Sequence, residues 1–227
     1  MTPTIFDIET TAIDNFRTLE GLTKIHCLVV RHGDECHTYT GEEIVTGLRF
    51  LQDQDVIVGH NITGFDIPAI QKLYSGWKPG GLVRDTVLLA RLAFPDQKDR
   101  DYQIPDFPRN LVGYHSLEAW GYRLGENKGD YKGGWDELTD EMLEYCIQDT
   151  LVTQRLYDKI QAEQLSPESV VLEHQFAVCI GEQERRGFGF DVPRAAALYG
   201  TLSEERNGLR KQLVSAFPPT IEVMKTP

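Results

Sequence analysis

The chain has 227 residues and carries 35 acidic side chains against 23 basic ones, a formal net charge of -12, with 41% hydrophobic and 26% charged residues. That composition excludes a disordered, collagen-like or coiled-coil chain, and the length, at roughly 100 to 200 residues per domain, accommodates one compact domain plus an appendage. The acidic balance also argues against gripping duplex nucleic acid by charge alone, because such binding depends on lysine and arginine displacing condensed counterions.

Thr4-Ile5-Phe6-Asp7-Ile8-Glu9 alternates apolar and polar side chains, which predicts a strand with Asp7 and Glu9 on one face. Residues 25–31 and 35–40, separated by a turn at His32-Gly33-Asp34, read as a hairpin. Helical spacing through Ile44, Leu48 and Leu51 covers residues 42–52, residues 55–58 form a short buried strand, and residues 65–74 form a helix beginning near Asp66. Another short strand ends near Arg84 and Asp85 and leads into a helix through Leu88, Leu89 and Leu92. Over residues 94–114 the pattern lapses, and Pro95, Pro105 and Pro108 exclude a long helix, so a long irregular loop of the functional or mobile kind is expected. Helical periodicity returns over residues 116–124, pauses over the glycines from Gly125 to Gly134, and resumes from a Thr139 cap to about Ala162. Ser166-Pro167 starts a helix to about Arg186, and after a turn over residues 187–191 another runs from Pro193 to about Ala216. Strands interleaved with helices define an α/β fold, with the last two helices as the appendage.

No apolar run approaches the roughly 20 residues needed to span a bilayer. Met1 is followed by no basic and apolar signal segment, so a cytoplasmic location is expected. Cys27, Cys36, Cys146 and Cys179 are scattered without a Cys-x-x-Cys pair, which points to reduced, structural thiols.

The chemistry concentrates in acidic residues. With 17 aspartates and 18 glutamates, an Asp-x-Glu triplet arises by chance about 1.3 times in such a chain, so Asp7-x-Glu9 gains its meaning from placement. It ends the run expected to be the central strand, where two carboxylates are costly unless a divalent cation with oxygen ligands pairs with them; the alternative is a solvated strand face. His60-Asn61-Ile62-Thr63-Gly64-Phe65-Asp66 follows an apolar strand and opens a helix, placing Asp66 near a strand's carboxyl end, where α/β sheets concentrate their sites. Taken alone, Asp66 reads first as an ordinary N-cap. Tyr145 and Asp149, at i and i+4, share one face of a strongly periodic helix.

Four acids in the order Asp, Glu, Asp, Asp, with a tyrosine one turn before the last, form a much rarer conjunction. This set resembles the DEDDy branch of the 3'-5' exonucleases, whose three motifs match Phe6-Asp7-Ile8-Glu9-Thr10, residues 61–66 and residues 145–149. The related histidine branch places its histidine where this chain has Glu144. His115-Ser116-Leu117-Glu118-Ala119-Trp120-Gly121-Tyr122-Arg123-Leu124-Gly125 looks like the proofreading domain of short-tailed phage DNA polymerases of family A. Residues 182–191 resemble the segment that leads from that domain into the polymerase thumb.

The resemblance implies an RNase H-like fold over residues 1–162, with a mixed five-stranded sheet flanked by helices and one antiparallel strand, and a helical connector over residues 163–227. It implies a metal-dependent 3'-5' exodeoxyribonuclease acting on single-stranded or frayed DNA 3' ends by a two-metal mechanism. Asp7, Glu9 and Asp149 would hold one Mg2+ or Mn2+ and Asp7 and Asp66 the other, while Tyr145 would orient the attacking water. Phenols titrate near about 10, too high for a free base at neutral pH. The candidates for contact with the terminal nucleotides are Thr10 through its backbone, Ile13 as a wedge, Asn61, Phe65 and Tyr131, with Phe65 read first as a core residue and an exposed loop tyrosine as the alternative for Tyr131. Lys98, Arg100 and Arg109 read equally as strand contacts or as a solvated loop, and His60 and His115 lack the spacing of a zinc site and read as structural.

The palm motifs of the family, including its His-Asp-Glu triplet, are absent, so no polymerisation is expected from this chain alone, and a polymerase module in the same or a separate chain is the expected partner. The two alternatives are an exoribonuclease of the same fold and a non-catalytic docking domain of a split polymerase.

Overall fold

The structure is a computed structural model that describes residues 2–11, 18–126, 131 and 133–218. Five strands, β1 (Thr4–Thr10), β2 (Ile25–His32), β3 (Glu35–Thr40), β4 (Val56–Gly59) and β5 (Leu82–Asp85), form one sheet in the order β3-β2-β1-β4-β5. β2 runs antiparallel to β1 and β3, whereas β4 and β5 run parallel to β1, so β1 is central and β2 is the single reversed strand. This is the mixed RNase H-like sheet expected from the sequence.

Alternation along β1 sorts its side chains between two cores. Phe6 and Ile8 join Leu28, Val30 and Ile57 beneath α1 (Ile44–Gln52) and α2 (Asp66–Leu73). On the opposite face Ile5 joins Val58, Leu89, Trp120, Leu156 and Ile160, from α3 (Thr86–Ala93), α5 (Leu117–Leu124) and α6 (Asp140–Gln161). Asp7 and Glu9 follow Ile5 on that second face, paired in register with Val29 and Cys27. Those two residues pack with Cys146 of α6 in a third, small cluster. The carboxylates therefore sit where α6 crosses β1 and β2, at the end of the hydrophobic cover.

Caps fix the flanking helices. Thr139 accepts the Met142 N–H at 3.1 Å at the start of α6, and Ser116 accepts the Ala119 N–H at 3.3 Å at the start of α5. α5 ends at Gly125, whose φ of 70° lies in the left-handed region that a glycine enters without steric cost.

Residues 94–114 are not the structureless loop expected from the prolines. They contain a short helix, α4 (Gln97–Asp101), and a 3-10 turn at Arg109–Leu111, and Phe107 and Leu111 pack on Ala119 of α5. The organising contact joins Asp101 to Arg123, 22 positions apart, which no local sequence pattern reports.

The chain divides into two compact units, Met1–Arg186 and Gly187–Pro227. The first includes α7 (Pro167–Arg186), which packs on α3. The second contains α8 (Val192–Ala216), capped by the Asp191 side chain, which accepts the Arg194 N–H at 3.0 Å. Among the described residues no helix is long and apolar enough to cross a membrane. The four cysteines are free; Cys27 and Cys146 are buried, and Cys36 and Cys179 are exposed.

Candidate active site

A cleft of about 290 Å³ lies over the end of β1 and is lined by Asp7, Ile8, Glu9, His60, Asn61, Phe65, Asp66, Trp135, Tyr145 and Asp149. Three segments separated by more than 50 residues in sequence thus converge. β1 supplies Asp7 and Glu9, the turn after β4 supplies Asn61, Phe65 and Asp66, and α6 supplies Tyr145 and Asp149 from adjacent turns of one face.

The acids are not solvated surface groups. Glu9, Asp66 and Asp149 are buried and Asp7 is half-buried. Burial, then the charge of Asp7, pushes the Asp66 carboxyl well above the usual carboxylate range, with Asp85 adding to the effect, while the backbone amides of Asp66 itself and Ile8 pull the other way. Asp66 Oδ1 is buried without a hydrogen-bond partner, and Asp66 is the first residue of α2 with no side-chain cap at the preceding Phe65. The N-cap alternative is therefore not what the structure shows. A carboxylate that is both crowded by like charge and short of a donor fits a cation ligand.

Beneath the acids, the Cys146 thiol donates to Asp7 Oδ2 at 3.4 Å. Donor atoms of Asp7, Glu9 and Cys146 lie within 4.8 Å of one another. Burial, the Cys27 thiol beside it, and the charges of Asp7 and Glu9 all push the Cys146 thiol up, so it stays protonated as a donor.

An aromatic wall stands beside Tyr145. The Tyr131 ring lies 5.9 Å from the Tyr145 ring and 4.9 Å from the Trp135 ring, and the Tyr131 hydroxyl donates to the Gly134 carbonyl at 2.7 Å. Trp135 is anchored through its carbonyl oxygen, which accepts from His26 Nε2 at 2.9 Å. Tyr131 is thus a buttress behind Tyr145, and Trp135 is the ring that borders the cleft.

The other expected site residues divide. Asn61 borders the cleft with a left-handed φ of 63°, and a Cβ at Gly64 would meet Asn61 Oδ1 at 2.6 Å, so a side chain there would displace the Asn61 amide. Phe65 both borders the cleft and packs into the main core. Thr10 is buried after an irregularity in β1, donates to the Thr11 carbonyl and does not border the cleft. Ile13 lies outside the described residues. Lys98, Arg100 and Arg109 are exposed and are not among the residues lining the cleft, with Arg100 over the Phe94 ring and Arg109 over the Tyr102 ring. His115 packs against Trp120, and burial, then the charges of Arg123 and Arg91, lowers it to about 4. His60 borders the cleft and shares a 2.8 Å hydrogen bond with Thr86.

The sequence reading missed Trp135 and the contact of Cys146. A lone tryptophan among glycines and acids cannot serve a local helix core, and that was the available signal. Cys146 carried none, since a buried cysteine next to a motif tyrosine reads as packing.

An RNase H-like sheet with a carboxylate-lined cleft at the end of its central strand is the architecture of a nuclease. The family model described as 3'-5' exonuclease matches residues 3–164. The DNA-directed DNA polymerase of Enterobacteria phage T3 is 32% identical over 88% of this chain and 36% of its own length, and that of Escherichia phage T7 is 30% identical over 94% and 37%. The chain belongs to the 3'-5' exonuclease domain family of family A DNA polymerases. It spans a little over a third of the length of these curated relatives. Among solved structures, Brucella melitensis NrnC bound to pGG shares the fold with a TM-score of 0.57 at 15% identity, covering 85% of this chain and 89% of NrnC; a Mg2+-bound form matches with a TM-score of 0.55.

Proposed function

We propose that this chain removes nucleotides from the 3' end of single-stranded or frayed DNA, as the proofreading part of a phage-type polymerase. The observation that carries this reading is the convergence of Asp7, Glu9, Asp66, Asp149 and Tyr145 on one cleft open to solvent. The donor set is oxygen-rich, which fits Mg2+ or Mn2+. Asp7, Glu9 and Asp149 would hold one ion and Asp7 and Asp66 the second, so the central-strand aspartate would serve both. When bound, such ions supply charge neutralisation at the phosphodiester and a more acidic water.

The remaining work falls to the chain itself. Tyr145 holds its hydroxyl one helical turn from Asp149, positioned to accept or donate a hydrogen bond to the attacking water, and its ring is kept in place by Tyr131. Asn61 and Phe65 border the position of the terminal nucleotide, and Trp135 offers a face on which a base can stack. Among the described residues no lysine or arginine lines the cleft. The helical segments over residues 163–227 would connect to a polymerase module, expected as partner in the same or a separate chain.

The test is degradation of a 5'-labelled single-stranded DNA, with an RNA of matching sequence alongside, in Mg2+, in Mn2+ and in chelator. A ladder shortening from the 3' end, only with metal and faster on DNA, is the expected result. Faster loss of the RNA would favour the exoribonuclease reading, and no cleavage by folded protein in either metal would overturn catalysis by the isolated chain.

A further inference from the structure

Asp85 lies outside the acid set, yet it is 1% exposed and its carboxylate is fully engaged by backbone. Oδ1 accepts the Asn61 N–H at 2.9 Å and the Val87 N–H at 3.0 Å, and Oδ2 accepts the Thr63 N–H at 2.9 Å. The Val87 contact is an ordinary N-cap for α3. The other two are not capping bonds, because they reach 22 and 24 positions back to the turn that carries Asn61, Phe65 and Asp66. The next residue adds to the grip: Thr86 Oγ1 donates to the Gly59 carbonyl at 3.2 Å and meets His60 Nδ1 at 2.8 Å. One dipeptide at the end of β5 therefore fixes Gly59, His60, Asn61 and Thr63.

That turn needs fixing. Asn61 holds a left-handed backbone, a conformation that a non-glycine residue keeps where its surroundings over-determine it. The clamp is itself braced. β5 is an edge strand, and the Asp85 backbone N–H donates to His174 Nε2 of α7 at 2.9 Å. An amide can only donate, so Nε2 must be unprotonated, and Nδ1–H is left to donate to the Val170 carbonyl at 2.8 Å. His174 is thereby a neutral imidazole of defined tautomer, holding from α7 the strand end that holds the turn.

We infer that Asp85 is a positioning residue for the cleft and that His174 acts through it, so that α7 sets the geometry of the turn presenting Asn61, Phe65 and Asp66. The inference rests on the functional reading above only for what the positioned residues then do.

The test compares wild type with Asp85→Asn, His174→Leu and His174→Gln by three readouts: amide hydrogen exchange at Asn61 and Thr63, Mn2+ affinity by calorimetry, and the kcat and KM for single-stranded DNA. Asn puts an NH2 group against one of the two amides, so exchange there should speed up about tenfold or more, with weaker Mn2+ binding and a fall in kcat. His174→Leu should shift all three in the same direction by less, and His174→Gln, which restores an acceptor oxygen, should recover most of the loss. Variants with wild-type melting temperature but unchanged exchange and Mn2+ affinity would overturn the inference and leave Asp85 as the cap of α3. If Asp85→Asn fails to fold, the Leu and Gln pair at position 174 decides by the same readouts. A wild-type chain without nuclease activity would overturn the functional reading alone, since the exchange rates still report on the clamp.

Discussion

Arg123 grips Asp101 through Nε to Oδ1 and Nη2 to Oδ2, each at 2.8 Å, in a pair whose side chains are 3% and 0% exposed. The same carboxylate accepts the Gly113 N–H and the Gln97 side chain, and the guanidinium lies 4.7 Å from the Trp120 ring. One pair therefore ties both ends of residues 97–113 to α5. Removing one partner of a buried pair strands the other, which costs about 3 to 5 kcal/mol. Arg123→Met should lose stability on that scale in chemical denaturation and open residues 97–113 to protease, while Arg123→Lys, which cannot form the two-pronged contact, should recover only part of it.

Acid should act in two opposed stages in the absence of metal. Burial raises Asp66 and Asp85 in the folded state, so each destabilises the fold when ionised, and that penalty is removed as pH falls from above their folded values toward the unfolded one. Asp101 is the reverse: burial alone would raise it, but hydrogen bonds from Arg123, Gly113 and Gln97 and the Arg123 charge outweigh this and lower it. Its contribution is present above the unfolded value of about 3.9 and is lost as pH falls through the lowered folded value. Melting temperature in chelator should rise as pH drops below neutrality and then fall below about pH 4. Asp66→Asn should melt higher than wild type at pH 7 and flatten the first stage, whereas an unchanged profile in that variant would remove Asp66 as its cause.

Divalent metal should reverse the order of those two proteins. Binding to the folded state alone stabilises by RT ln(1 + [L]/Kd), about 2.7 kcal/mol at 100 times Kd. Wild type should therefore melt several degrees higher in millimolar Mn2+, at roughly 2 to 4 °C per kcal/mol for a chain of this size. Asp7→Ala and Asp66→Asn should fold, show little of that shift and lose cleavage. Loss of the fold in Asp7→Ala would make the residue structural rather than a ligand.

Most of this architecture was legible because it is periodic. Alternation in Thr4–Thr10 placed Asp7 and Glu9 on one face, and the i to i+4 spacing placed Tyr145 with Asp149, so the two densest parts of the cleft followed from local geometry. What escaped the sequence was long-range and polar. Asp101 carries no local signal, and Asp85 reads as a strand end, because their partners, Arg123 and the Asn61–Thr63 backbone, lie 22 to 24 positions away and leave no period.

Trp135 and Tyr145 border the same cleft but should fail in different ways. Base stacking on an aromatic face is worth about 1 to 3 kcal/mol, so Trp135→Ala should raise KM for single-stranded DNA by about 5- to 150-fold and leave kcat at saturation within a few-fold of wild type. Tyr145→Phe keeps the ring against Tyr131 and loses only the hydroxyl. If that hydroxyl orients the attacking water, its loss should lower kcat by about 10²-fold, the scale of one positioned hydrogen bond at a reacting centre, with KM unchanged. Steady-state kinetics on one labelled oligonucleotide separates the two. A KM effect in Tyr145→Phe with normal kcat would make the tyrosine a substrate contact, and the water would then have to be oriented by the carboxylates around it.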